Sequence, residues 1–277
     1  TDWLNMIYPR LKVARELLSE DGVIFISIDE NECENLRKVC DEIFGERNLV
    51  AQIPWQSRAS IQNDTDFSIN HEYICVYAKI RRQQNRRLKE SNVREWYNHD
   101  SFVCKPLPLD PSKFENPDND PRGDWKGASF LNPATPESRP NLCYPITNPN
   151  TGEVTFPTTN AWRRSKEVYE ELLADNRLYW GTDGKSKVPS VKMFLSEARG
   201  LTPINLWEYE YAGSTDDGTA ELFSLLKAKV FEFPKPSLLI QRVIEHIDDK
   251  DCIVLDFFAG SGTTGHAVVN QNINDGG

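Results

Sequence analysis

The sequence predicts an α/β protein, and three stretches carry the prediction. Near the amino end, a helical apolar pattern runs into Val23-Ile24-Phe25-Ile26-Ser27-Ile28, a strand pattern apolar on both faces, as when helices cover a sheet from each side. Near the carboxyl end, Ile253-Val254-Leu255 leads through Asp256 into a glycine turn and a second helical pattern. Between them, residues 80–228 hold most of the prolines and show weak periodicity, which sets them apart as a separate block.

Taken in order, Leu4, Ile7, Leu11, Ala14 and Leu18 recur at helical spacing, with Pro9 marking a break or a late first turn. Ser19-Glu20-Asp21-Gly22 ends that helix, and residues 23–28 read as a central parallel strand. Asp29 is placed to cap the next helix with Glu32 as its reciprocal partner; Leu36, Val39, Cys40, Ile43 and Phe44 give the buried stripe and Gly45 the stop. Strands at 49–55 and 72–78 follow, a candidate antiparallel pair joined by the polar loop 56–69. Inside the proline-rich block the pattern predicts a helix over 166–174, then a hairpin of 178–180 with 188–193 around Gly181-Thr182-Asp183-Gly184. Two amphipathic helices are predicted between Ala220 and Ile247, separated by Val230-Phe231-Glu232-Phe233-Pro234-Lys235-Pro236.

Composition narrows the classes. With 277 residues, 39% apolar and 27% charged, the chain has room for one large or two ordinary globular domains. No apolar run approaches the ~20 residues of a membrane span and no signal peptide is visible, so the expected location is cytoplasmic, with no membrane partner. The six cysteines form no Cys-x-x-Cys pair and the four histidines have no metal-ligand spacing, so the expected thiols are reduced and no metal site is assigned. A net charge of −10 argues against a chain that coats nucleic acid over its whole surface. Residues 79–105 reverse that sign locally, with eight Lys/Arg against three acids. Within the block, Arg163, Arg164, Lys166, Arg177, Lys185, Lys187 and Lys192 are further candidates to meet phosphates, although acids in the same stretch nearly balance them.

The glycine turn holds the chemistry. Gly260 and Gly262 remove the Cβ atoms that keep a backbone away from a ligand, and the N–H groups of the turn and of the new helix point outward with the positive end of the helix dipole. No Gly-Lys-Ser/Thr follows, which excludes a P-loop. The spacing Gly260-x-Gly262-x-x-Gly265 fits a dinucleotide fingerprint, the basis of an alternative reading as an oxidoreductase. Asp256, at the strand end, repels a pyrophosphate and suits the hydroxyl-bearing or positively charged parts of S-adenosylmethionine.

The string Asp256-Phe257-Phe258-Ala259-Gly260-Ser261-Gly262-Thr263-Thr264, preceded by Phe233-Pro234-Lys235-Pro236, closely resembles the cofactor motifs of beta-group DNA amino-methyltransferases, especially the modification subunits of type III restriction systems. Residues 21–29 and the His71-Glu72-Tyr73-Ile74 strand resemble the same family, and their order before the cofactor turn matches its beta-group permutation. The resemblance implies a partial Rossmann-like, S-adenosylmethionine-dependent methyltransferase sheet with an inserted α+β target-recognition domain. It implies a catalytic-side half at 1–79, a DNA-binding recognition domain at 80–228 and a cofactor-binding half at 229–277. Asp256 to Thr264, with Lys235 and Pro236, become the cofactor-binding residues. The implied substrate is the 6-amino group of adenine in double-stranded DNA, and the implied partners are a second copy and a helicase-nuclease restriction subunit.

The family's catalytic segment, Asp/Asn/Ser-Pro-Pro-Tyr/Phe/Trp, is absent: no Pro-Pro dipeptide occurs, and by the resemblance it is expected upstream of Thr1. No Pro-Cys occurs either, which speaks against methylation at the cytosine ring carbon. The chain alone is therefore expected to bind cofactor weakly and to transfer no methyl. A non-catalytic DNA-recognition module is the remaining alternative.

Overall fold

The computed structural model describes residues 2–63, 65–81, 102, 104–198 and 200–276. They divide into two units, residues 1–107 with 202–277, and residues 108–201. Of the basic run at 79–105, residues 82–101 lie outside the described residues; Lys79, Arg81 and Lys105 are committed locally, to Glu20, the Leu49 carbonyl and Asp248.

The first unit begins with α1 (Asp2–Leu17), which buries Ile7, Leu11 and Ala14. Pro9 does not interrupt it. A proline removes its own N–H and crowds the preceding turn; here Ile7 and Leu11 are locked into a core with Leu36, Phe44 and Tyr77, and the Arg10 guanidinium donates to the Met6 carbonyl on that turn. Strand β1 (Val23–Ile28) follows, then α2 (Cys33–Cys40), β2 (Leu49–Gln56) and β3 (His71–Ala78). The sheet order is β1-β3-β2 and both pairings are antiparallel, with Phe25 opposite Val76 and Ile53 opposite Ile74. The central parallel position expected for β1 is thus corrected: among the described residues it lies at the edge of the sheet, antiparallel to β3. Apolar residues on both faces report that both faces are covered, not which strand lies alongside. On β3, Cys75 and Tyr77 enter the core under α1 and α2, while Ile74 and Val76 enter a second core with Trp55 and Trp207.

The predicted capping box before α2 is also absent. Asp29 accepts the Asn31 backbone N–H at 3.1 Å and Glu32 accepts the Asn35 amide at 2.7 Å, so α2 starts only at Cys33. Gly45 ends the helical run with φ +91°, and buried Asn48 then ties that end to β3 by donating to the carbonyls of Phe44 (2.7 Å) and Lys79 (3.1 Å).

The second unit contains β4 (Trp125–Ser129), β5 (Ile146–Thr147), β6 (Val154–Thr155), α3 (Lys166–Ala174), β7 (Leu178–Tyr179) and β8 (Ser190–Phe194). Its sheet is β4-β8-β7, antiparallel throughout, and the predicted helix and hairpin are both present. Phe130, Tyr144, Ile146, Trp162, Tyr169, Leu178 and Trp180 form its apolar core. Beside that core sits a chain of charges. Lys192 is 2% exposed, with its ammonium 2.5 Å from Asp118 and 2.8 Å from Asp120. Asp120 also takes a two-pronged contact from Arg122 at 2.9 Å per bond, and Arg177 spans Asp175 and Glu197. The Arg122 hydrogen bonds, then Lys192, hold the Asp120 carboxyl far below the usual carboxylate range against the opposing effect of its burial.

Residues 202–228 return to the first unit, which is why the second is narrower than the proline-rich block. Trp207 lies alongside β2, accepting from Gln56 N–H at 2.8 Å and donating to Pro54 at 3.0 Å. The Trp55 indole donates to the Gly213 carbonyl at 2.8 Å. After α4 (Tyr209–Ala212), the reciprocal Ser214–Asp217 cap opens α5 (Thr215–Leu226), followed by α6 (Ser237–Ile244) and α7 (Thr263–Asp275). The buried strand expected at 253–255 does not form. Among the described residues nothing pairs with it, and Ile253, Val254 and Leu255 are 97%, 42% and 59% exposed. Apolar sequence alone does not make a strand when no ladder is there to join.

Two outcomes test these cores. Asp120→Asn leaves Lys192 buried with half its compensation and should destabilise the second unit by about 3 kcal/mol in calorimetric unfolding. Because the native carboxyl is depressed, that stabilisation is present above about pH 4 and is lost as pH falls further toward the native pKa. His246 behaves in the opposite sense to a paired histidine: it is 3% exposed, packed on Trp207, without a hydrogen-bond partner at either ring nitrogen, and burial lowers its pKa. The unfolded chain therefore binds the extra proton, stability falls as pH drops below about 6.5, and His246→Phe should flatten that part of the melting-temperature profile.

Candidate functional site

The turn between residues 255 and 263 is braced from inside. Asp256 accepts the Phe258 N–H at 2.9 Å with one oxygen and the Thr264 hydroxyl at 2.6 Å with the other. One carboxylate thus fixes both the entry of the turn and the first turn of α7. A carboxylate offers about four acceptor positions, so two remain for a ligand.

Gly260 and Gly262 have φ of +53° and +79°, conformations a side chain disfavours. Gly262 donates to the Ala259 carbonyl at 2.7 Å and closes the turn, and a Cβ on it meets nothing within 4 Å, so its outer side is open. The first N–H groups of α7 have no acceptors within the helix. Gly265 differs: its φ is ordinary and no neighbour comes within 4 Å of a Cβ placed there. In a dinucleotide fold the third glycine serves close helix–strand packing; here there is no such contact.

Lys235 backs the turn. Its ammonium pairs with Glu72 on β3 and lies 5.3 Å from the Trp55 ring centre, while its carbonyl accepts the Thr263 hydroxyl at 3.2 Å. The Thr263 hydroxyl in turn lies 2.8 Å from that of Ser261. Pro236 precedes α6, whose first N–H is capped by Glu221 of α5 at 2.9 Å. Phe257 and Phe258 are 40% and 49% exposed with ring centres 5.2 Å apart, and the Arg10 guanidinium sits 5.8 Å over Phe258. Lys235, Ser261, Gly262 and Thr263 line an open cleft of about 40 Å³ with Gly218, Glu221 and His266. That volume holds a few waters.

Gly218 and Glu221 had not been singled out from the sequence. A Cβ on Gly218 comes within 2.3 Å of the Pro234 carbonyl and 2.8 Å of the Lys235 carbonyl carbon, so α5 lies directly on that backbone. The available signal was a glycine inside a helical pattern, which costs about 1 kcal/mol relative to alanine unless packing requires it.

Residues 1–274 match the family of N6/N4 DNA methylases. The chain belongs to that family. The chain is 38% identical over 99% of its length to the type III restriction-modification enzyme StyLTI Mod subunit of Salmonella typhimurium, and 37% identical over 99% to the EcoPI Mod subunit of Escherichia phage P1. It is 30% identical over its whole length to the type II methyltransferase M.KpnI of Klebsiella pneumoniae, covering 65% of that protein. It spans 39% and 44% of the two Mod subunits. No helix among the described residues is long and apolar enough to cross a membrane.

Two glycines of the chain should respond oppositely to alanine. Gly218→Ala forces the Pro234–Pro236 backbone to move and should lower stability by about 1–3 kcal/mol. Gly265→Ala fills open space within α7 and should be neutral or stabilising by up to about 1 kcal/mol, both read from urea unfolding midpoints.

Proposed function

We propose that the chain carries the cofactor-binding and target-recognition parts of a site-specific DNA methyltransferase that moves a methyl group from S-adenosylmethionine to the 6-amino group of adenine in double-stranded DNA. In this reading residues 1–79 and 229–277 are the two halves of a partial Rossmann-like methyltransferase domain, and 80–228 is the inserted recognition domain. It works in the cytoplasm within a restriction-modification system, as a homodimer with a helicase-nuclease subunit. The relatives' names support the system and the family supports the chemistry.

The observation that favours this cofactor most is the carboxylate inside the turn. Asp256 spends two acceptor positions on Phe258 and Thr264 and keeps the rest beside Gly262, whose outer side is open. That arrangement welcomes a hydroxyl or a cation and repels a diphosphate. Gly260 and Gly262 let the backbone approach the ligand, the start of α7 offers N–H donors, and the tie to Glu72 keeps Lys235 in place. Bound S-adenosylmethionine supplies a methyl on a sulfonium, already activated, so alignment is the main demand on the protein. Flipping out the base and accepting protons from its amine fall to the Pro-Pro segment, which these 277 residues do not contain.

A second reading, a DNA-recognition module without catalysis, is favoured by the lack of a Pro-Pro segment within these 277 residues. Titration calorimetry of the 277-residue chain with S-adenosylmethionine distinguishes them. Weak binding is expected, reduced about tenfold or more by Asp256→Ala, with no tritiated methyl transferred to duplex DNA. Equal affinity for the variant, or preferential binding of a nicotinamide dinucleotide, removes the methyltransferase reading of the turn.

A further inference from the structure

The second unit, residues 108–201 within the proposed recognition domain, holds eleven described cations, and their partners sort them. Lys113, Arg122, Lys166, Arg177, Lys187 and Lys192 are each paired with a carboxylate, and Lys126 lies over the Phe114 ring. Four of the seven block residues that are candidates for phosphate contact, Lys166, Arg177, Lys187 and Lys192, therefore each already face a carboxylate, Lys192 in the interior and Lys166 and Lys187 at the surface. Among the described residues of this unit, Arg139, Arg163, Arg164 and Lys185 have no acidic partner, and Lys185 stands apart in the 181–184 hairpin loop.

The three arginines share one anchorage. Trp162, 1% exposed, donates its backbone N–H to Leu142 at 3.1 Å and its indole N–H to Tyr144 at 2.7 Å. Leu142 in turn donates to the Arg139 carbonyl at 2.9 Å. On the other side Arg163 donates to Phe130 at 2.8 Å, and the Arg164 carbonyl accepts the Tyr144 hydroxyl at 2.9 Å. Three loops are thus pinned around one buried indole while their guanidinium-bearing residues stay exposed. Glu137 and Glu167 lie in the same stretch, and neither is ion-paired with an arginine among the described residues. The adjoining Thr158 and Thr159 are exposed and make no side-chain hydrogen bond among those described.

We propose that this arginine edge, Arg139 with Arg163 and Arg164, is the surface by which residues 108–201 grip the phosphates of duplex DNA, and that the ion-paired lysines and arginines of the unit take no part. The inference rests on the reading of this block as a DNA-recognition domain. Its physical basis is that only an un-neutralised cation releases a counterion when it meets a phosphate, and that rigid anchorage limits the entropy lost on contact.

Salt dependence counts such contacts. Binding of the 277-residue chain to a fluorescent duplex should be followed by anisotropy over a range of salt. Replacing all three arginines with alanine should reduce the slope of log K against log salt by about 2.7, since each phosphate contact contributes about 0.9. The same three changed to lysine should keep most of the slope, and Lys166→Ala with Lys187→Ala should leave it unaltered. An unchanged slope in the triple alanine variant, or an equal fall in the Lys166/Lys187 pair, overturns the assignment of this edge while the recognition reading stands. Absence of salt-dependent binding by the unaltered chain overturns the recognition reading and this edge with it.

Discussion

Lys235 joins the sheet to the glycine turn through both ends of one residue. Its ammonium is tied to Glu72 on β3 and its carbonyl receives the Thr263 hydroxyl at the head of α7. Neither contact works unless residues 234–236 are held still, and that is done from behind, by α5 pressing on them at a position with no side chain. The residues nearest the proposed chemistry therefore depend on a close backbone approach one helix away. The Ser214–Asp217 cap and the tie between Thr215 and Ser57 locate that helix, so the register of β2 reaches the turn through four successive contacts.

The two units are held by different means. The first alternates the side chains of β3 between two apolar cores and buries one uncharged histidine. The second has short strands and many prolines, and supplements its aromatic core with a chain of charges running from Asp118 through Lys192, Asp120, Arg122, Asp175 and Arg177 to Glu197. Buried pairs of this kind add little net stability against an apolar replacement, yet removing one member strands the others. Such a network holds the positions of its members relative to one another.

Much of this was legible in the sequence wherever the determinant is local. The helix at 166–174, the hairpin around Gly181–Gly184 and the pairing of β2 with β3 follow from periodicity and turn chemistry within a few residues. The tight turn at Gly260 and Gly262 was legible for the same reason, although the left-handed φ of both glycines came only from the structure. What failed depended on partners distant in the chain. Residues 253–255 look like a strand by composition, but strand formation needs a neighbour, and none is present among the described residues. Lys192 and Arg163 are indistinguishable as letters; one is enclosed by two aspartates and the other has none. Pro9 and the two-faced pattern of β1 misled similarly, since tertiary packing overrode the local preference in one and selected an unexpected neighbour in the other.

The uncovered Ile253-Val254-Leu255 run has a consequence for handling the chain. Three branched aliphatic residues with unused backbone donors and acceptors form a ready template for another copy of themselves. Concentrated solutions should thicken into β-rich aggregates first at this seam. The chain's negative charge opposes that by mutual repulsion, so added salt, which screens the repulsion, should hasten precipitation rather than protect against it.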